Sequence, residues 1–317
     1  MKRVFVTGAT GFIGAAIARR LVREGYDVAI LLRPASNAWR LGSVAQKTRV
    51  IEGEIDDVAT YASALHDFSP DTVMHLAWHG VAKAKRDDPD QVRINVNGSV
   101  DLFRAAVQAG CKAFIGAGSQ AEYGPSALPL DEESPARPVS LYGAAKLATS
   151  ILLSQLAAAH NIRFAWLRVF SVYGPQDDPA TLISFLITEF LAGRRPAVST
   201  GDQLWDYLYV DDAAAAFLAV GTSGAEGIFN VGSGSAVPLR EAITCVRDAI
   251  DPSLTIGFGQ IAEPSGRLLQ LRPIVDRLRS ATNWAPSISL RDGASRTVAW
   301  AREQMIGKCD HTVPVVA

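Results

Sequence analysis

The first half of the chain alternates short β-rich runs with longer stretches of helical character. Val4–Thr7, Val28–Leu32, Val50–Glu52, Thr72–Leu76, Ala113–Ala117 and Phe164–Val169 read as strands, and Ile13–Glu24, Gln91–Ala109 and Tyr142–His160 as helices. Strands that alternate with helices predict a parallel sheet covered on both faces. Right-handed crossovers make this a doubly wound α/β sheet.

Past Tyr173 the rhythm changes. Gly174-Pro175-Gln176-Asp177-Asp178-Pro179 is a turn-rich break, and later segments are shorter and richer in Gly and Pro. The expected division is a dinucleotide-binding part over residues 1–173 and a mainly substrate-binding lobe over 174–317. Segments such as 204–231 are expected to return to the main sheet. Within them, Asp211-Asp212 opens a helical run with an acidic cap.

Apolar residues make up 48% of the 317, an ordinary fraction that supports a sizeable core. The formal net charge of -1 argues against a nucleic-acid binder held by bulk charge. No apolar run approaches the ~18 residues of a membrane span, and Met1–Val6 reads as a strand, not a signal peptide. Cys111, Cys245 and Cys309 are far apart and form no CxxC pair, so no metal or disulfide is expected and a reducing cytoplasm fits.

Gly8-Ala9-Thr10-Gly11-Phe12-Ile13-Gly14 directly follows the first strand and opens the first helix. Glycines permit a tight turn and close backbone approach, and the helix N-terminus offers free N–H groups to a pyrophosphate. This is the loop of a Rossmann dinucleotide site. The second strand ends Leu32-Arg33, with no Asp or Glu for a ribose 2′-hydroxyl. A carboxylate there would repel a 2′-phosphate, whereas Arg33 can pair with one, so NADP(H) is favoured over NAD(H); Arg40 could assist.

Tyr142 and Lys146, four apart at a helix start, share one face. An ammonium near the phenol favours the phenolate and tunes it for proton transfer. With the glycine loop, this pair resembles the extended short-chain dehydrogenase/reductase family of nucleotide-sugar epimerases, dehydratases and reductases. The resemblance covers nearly the whole chain. It includes His75-Leu76-Ala77, Asn95-Val96-Asn97-Gly98-Ser99, Gly118–Gly124, Arg168–Pro175, Tyr209-Val210-Asp211-Asp212 and Asn283-Trp284-Ala285-Pro286.

The resemblance implies roles. Ser119 stands at the place of the catalytic Ser or Thr, Tyr142 is the acid/base, and Lys146 holds the nicotinamide ribose. Gly8, Gly11, Phe12, Ile13 and Gly14 line the cofactor phosphates. Glu54 and Ile55 lie near the adenine, and Leu76, Ala77 and Trp78 line the cofactor after the fourth strand. Asn95 is a further contact or a helix-start hydrogen bond. His75 reads as a satisfied core histidine, and Glu122 as structural.

Departures from the family pattern narrow the reaction. Dehydratases carry Asp-Glu after the catalytic Ser or Thr, where this chain has Gln120 and Ala121, so water elimination is not expected. The expected activity is NADPH-dependent reduction of a keto group at C4 of a nucleotide-linked deoxysugar, closest to the 4-ketoreductases. The alternative is a 4-epimerase, and from another class a non-catalytic dinucleotide sensor. On the substrate side, Ser171 replaces the family's Asn and Trp205 its Arg, with Gln120, Arg267 and Arg272 as further contacts. These changes leave a smaller keto substrate open. A homodimer is implied, built on Gln91–Ala109 and Tyr142–His160, with Ile151, Leu152, Leu153 and Leu156 facing either a partner or the sheet.

Overall fold

The computed structural model describes residues 1–34, 36–262 and 270–310, with side chains to 306. Seven strands form the central parallel sheet: β1 (Arg3–Thr7), β2 (Asp27–Leu32), β3 (Arg49–Glu52), β4 (Thr72–His75), β5 (Ala113–Ser119), β6 (Arg163–Val169) and, from the second half of the chain, β10 (Gly227–Val231). Their spatial order is β10-β6-β5-β4-β1-β2-β3. The order reverses between β1 and β4, which is where a doubly wound sheet opens a crevice at the carboxyl ends of its strands. The predicted fold class is the observed one.

Alternation along the strands sorts the core into two layers. Val4, Val6, Val28 and Ile30 face α1 (Phe12–Arg23), whereas Phe5, Ala29 and Leu31 face α2 (Ala62–Phe68), α3 (Gly98–Gln108) and α4 (Leu141–His160). Both faces are covered, so the strands read as apolar runs.

The second half adds β7 (Ser171–Tyr173), α5 (Leu182–Leu191), β8 (Leu204–Trp205), β9 (Tyr207–Tyr209) and α6 (Val210–Ser223). After β10 come β11 (Val237–Pro238), α7 (Leu239–Ile250), α8 (Asp276–Thr282) and α9 (Leu290–Asp310). Within residues 204–231 only α6, packed on α1, and β10 join the sheet layers. β8 and β9 lie outside it and pair instead with β11 and β7. Asp212 ties the C-terminal part to α6, accepting from the Ser287 and Ile288 N–H groups and the Ser287 hydroxyl.

The helix expected over Gln91–Ala109 is continuous, but its first turns are widened: Gln91–Asn97 winds as a π-helix and runs directly into α3 at Gly98. The reason is polar: Gln91 and Asn95 spend their side chains on the preceding loop. The α2 segment and the two short 3-10 turns within Trp39–Lys47, separated by a kink at Gly42, were not legible in the pattern. Among the described residues, no helix is long and apolar enough to cross a membrane.

Candidate active site

The site gathers at the carboxyl ends of β1, β4 and β5. Gly8 follows β1 in the left-handed region (φ 72°), and a Cβ there would stand 2.6 Å from the Ala77 backbone nitrogen. Only glycine therefore lets the loop lie against Leu76 and Ala77. The Gly11 N–H closes the turn on the Gly8 carbonyl at 3.0 Å, and a Cβ on Gly14 would run into that same carbonyl. Gly11 caps α1 without a side-chain hydrogen bond, and the first turn carries no acidic residue. The amino end of α1 thus presents N–H groups and a positive dipole end, flanked by half-buried Phe12 and Ile13. The loop's shape and charge fit a dinucleotide pyrophosphate.

A buried polar string stands behind the loop. Thr7 Oγ1 lies 2.7 Å from His75 Nδ1, and His75 Nε2 lies 2.9 Å from Ser99 Oγ. The Ser99 hydroxyl donates to the Asn95 carbonyl at 2.5 Å, so it accepts from Nε2–H, and Nδ1 accepts from Thr7. Thr7 Oγ1 in turn accepts from the Leu76 and Ala77 N–H groups at 3.2 Å each, fixing the strand end against the glycine turn. Burial pushes the His75 imidazole down to about 3, with Lys146 adding to the effect. His75 is a satisfied, neutral core histidine.

Asn95 accepts from the His79 N–H at 2.7 Å and donates to the His79 carbonyl at 3.0 Å and to Gln91 Oε1 at 2.8 Å. Gln91 Oε1 also accepts from the Trp78 indole N–H at 2.9 Å. The two amides hold the Trp78–Gly80 segment in place.

Ser119 ends β5. Its hydroxyl accepts from the Ala121 N–H at 3.2 Å, while Glu122 Oε1 accepts from the Ser119 N–H at 2.8 Å, a reciprocal cap. Glu122 is fully buried and spends its remaining capacity on the Trp166 indole (2.9 Å) and Arg168 Nε (2.8 Å). On α4, capped by Ser140, Tyr142 falls in the first turn and is buried. Burial lifts its phenol above the ordinary tyrosine range; the Ser119 hydroxyl and the Arg86 charge pull it back. Lys146, one turn on, donates to the Ala117 carbonyl at 2.6 Å, with its amine 3.6 Å from the Trp78 ring centroid. Burial draws that amine down to about 7, against an opposing pull from Glu122. The Trp78 ring meets the Tyr142 ring edge-on at 6.2 Å, so the indole touches both members of the pair.

The Gly53 N–H donates to the Leu32 carbonyl at 3.1 Å, so Arg33 and Glu54 leave the sheet side by side, both exposed, with Ile55 buried behind them. Arg40 reaches the glycine loop, donating to the Thr10 carbonyl at 3.4 Å and to the Gln176 carbonyl at 2.9 Å. On the other side, Gln120 is half-buried beside Ser119. The Ser171 hydroxyl accepts from the Trp205 indole at 2.8 Å, and the bridge between Trp205 and Leu271 brings Arg272 alongside. Arg272 is paired with Gln270 at 3.0 Å. Arg267 lies outside the described residues.

Residues 4–232 match the model of the NAD dependent epimerase/dehydratase family. The chain belongs to this family. It is similar to a UDP-glucose 4-epimerase of Mycolicibacterium smegmatis, 32% identical over 95% of this chain and 99% of that one. It is also similar to a dTDP-glucose 4,6-dehydratase of Streptomyces griseus, 30% identical over 94% of this chain and 93% of the relative. Among solved structures, the Thermus thermophilus UDP-glucose 4-epimerase in complex with NAD superposes with a TM-score of 0.81 at 27% identity, covering 95% of this chain and 99% of that one.

Membership in this epimerase/dehydratase family makes the chain an enzyme of the extended short-chain type. The site also holds groups that sequence reasoning missed. Gln91 gave no signal, because a glutamine early in a helix is unremarkable. Arg86 gave none either; it looked like one more charge in the Lys83–Asp90 run.

Proposed function

We propose that this family member interconverts C4 epimers of a nucleotide-linked sugar, using NAD. The observation that carries the reading is the convergence of Ser119, Tyr142 and Lys146 beside the glycine loop, with Gln120 and Ala121 where elimination would need carboxylates. The names of its relatives favour epimerisation over the net reduction expected from the sequence. The residues proposed to hold the dinucleotide are Gly8–Gly14, Leu76–Trp78, Ile55 and Lys146. When bound, it supplies hydride acceptance and return at the sugar carbon.

The chain's own residues handle the proton. Tyr142 as phenolate takes the proton of the C4 hydroxyl and later returns it, and the Ser119 hydroxyl holds the same oxygen. Asn95 and Gln91 support this arrangement through Trp78. Ser171, Trp205 and Arg272 are proposed to face the nucleotide portion, where the Ser171 hydroxyl, held by the Trp205 indole N–H, and the Arg272 guanidinium can donate to phosphate oxygens.

A second reading, NADPH-dependent reduction at C4, is favoured by one feature: β2 ends in Leu32-Arg33 without a carboxylate. The two separate in one experiment. The purified protein is given UDP-glucose or UDP-galactose with NAD and followed by NMR. The epimerase reading expects both sugars to approach one equilibrium mixture with no net change in NADH. Stoichiometric NADPH consumption on a 4-keto-6-deoxysugar nucleotide, with no epimerisation, would establish the reductase instead. Dinucleotide binding without either turnover would identify a sensor.

A homodimer on α3 and α4 is part of the proposal. Leu141, Ile151 and Leu152 on α4 are exposed, whereas Leu153 is buried and Leu156 packs against the second core layer. Only the first set is free for a partner.

A further inference from the structure

Arg86 lies in the loop between β4 and α3, where that loop closes on the start of α4. Its carbonyl accepts from the Tyr142 N–H at 2.7 Å, and the next residue, Asp87, accepts from the Leu141 N–H at 3.0 Å. The loop and the first turn of α4 are therefore one hydrogen-bonded unit. Arg86 Nε donates to the Val81 carbonyl at 3.1 Å, which fixes the guanidinium 5.2 Å from the Tyr142 ring centroid.

The other groups that act on the phenol come from three directions. They are the Ser119 hydroxyl at the end of β5, the charge of the Glu122 carboxylate in the turn that follows, and the Trp78 ring in the loop after β4. Lys146 shares α4 with Tyr142, yet its amine rests on the Ala117 carbonyl and the Trp78 face, with His75 nearby. On the Arg86 loop, Asp87 is committed to α4, and Asp88 lies between Lys85 (3.5 Å) and His79 (3.8 Å).

We propose that Arg86 is a positioning residue for the acid/base, its guanidinium held over the Tyr142 ring to stabilise the phenolate. The physical argument is that a ring face becomes more electron-rich when the phenol ionises, so a cation over it favours the ionised form. The phenol end of the contact is buried, which limits screening there, while Arg86 itself is half-exposed. The charge balance on the Tyr142 side points the same way: Arg86 lowers the phenol's proton affinity and Glu122 raises it. The inference rests on the reading of Tyr142 as the acid/base.

The test compares wild type, Arg86→Gln and Arg86→Lys, with Tyr142→Phe as reference. Two readouts are taken: the ultraviolet difference titration of tyrosinate, with the Tyr142 component isolated by subtracting Tyr142→Phe, and the pH profile of kcat on UDP-galactose. The expected result for Arg86→Gln is a later Tyr142 titration and an acid limb moved to higher pH, so that kcat below the limb falls about threefold to tenfold and recovers at higher pH. Arg86→Lys should recover part of the shift, which a merely structural role would not produce. Unchanged midpoints in both readouts with Arg86→Gln folded, or a pH-independent loss of kcat, overturn the inference. If the titration moves while Tyr142→Phe turns over normally, Arg86 does stabilise the phenolate, but the acid/base reading fails and with it any part for Arg86 in turnover.

Discussion

The buried Lys146 ammonium lies 3.6 Å from the centroid of the half-buried Trp78 indole. Desolvation disfavours the charge, while the aromatic face and the Ala117 carbonyl support it. This balance has a consequence for stability. The amine sits at about 7 in the folded chain against 10.5 as its ordinary value. Between those values the unfolded chain binds more protons, so the Lys146 contribution makes stability rise with pH from about 7 upward. The buried phenols, whose proton affinity is raised, act in the opposite sense only above the ordinary tyrosine range. Urea unfolding of the unliganded protein at about pH 7 and about pH 9 should therefore show a gain that Lys146→Met flattens. An unchanged pH slope in Lys146→Met would mean the amine titrates normally.

Glu122 is the second buried charge near the site, paired with Arg168 at 2.8 Å with both side chains out of water. Removing one partner strands the other. Glu122→Ala should cost about 3–5 kcal/mol in denaturant unfolding. It also deprives the Ser119 N–H and the Trp166 indole of their acceptor. Glu122→Gln keeps an acceptor at that position and should cost less than the alanine variant. Equal stability of Glu122→Ala and wild type would show that water reaches Arg168.

How much of this was legible beforehand follows from what each residue depends on. The strands of the sheet, the glycine loop and the Tyr142–Lys146 pair are local patterns, and local patterns survive in a sequence. The His75 reading rested on its place at the end of a buried strand, and the Thr7 and Ser99 partners bear it out. What escaped was set by contacts between distant segments. Trp78 and Ala117, which hold the Lys146 amine, lie far from it in the chain. Arg86 meets Tyr142 across 56 positions of sequence, and no periodicity reports such a contact. The expected long helix from Gln91 forms, but its first turns widen where Gln91 and Asn95 bond a loop, and propensity does not reveal the partners of an amide side chain.

Gly14 packs so closely on the turn that a Cβ would overlap the Gly8 carbonyl, a backbone atom that cannot rotate aside. Gly14→Ala must therefore push α1 away from the loop. The N–H groups at its amino end would no longer converge on one anion. Affinity for NAD, measured by titration calorimetry, should fall about tenfold or more, with a stability cost of about 1–3 kcal/mol. Wild-type affinity in Gly14→Ala would remove this loop from the cofactor site.

Cofactor choice is decided where β2 leaves the sheet. Leu32 is half-buried at the strand end, Arg33 is exposed just beyond it, and Gly53 is hydrogen-bonded alongside. In Leu32→Asp, a carboxylate would meet the ribose end of the cofactor, accepting from a 2′-hydroxyl and repelling a 2′-phosphate. The ratio of NADH to NADPH affinity should rise about tenfold or more. Arg33→Ala should lower NADPH affinity and leave NADH nearly unchanged, because only the phosphate offers Arg33 a charged partner. If neither substitution alters the ratio, the end of β2 does not touch the ribose, and Arg33 loses its bearing on the choice between epimerase and reductase.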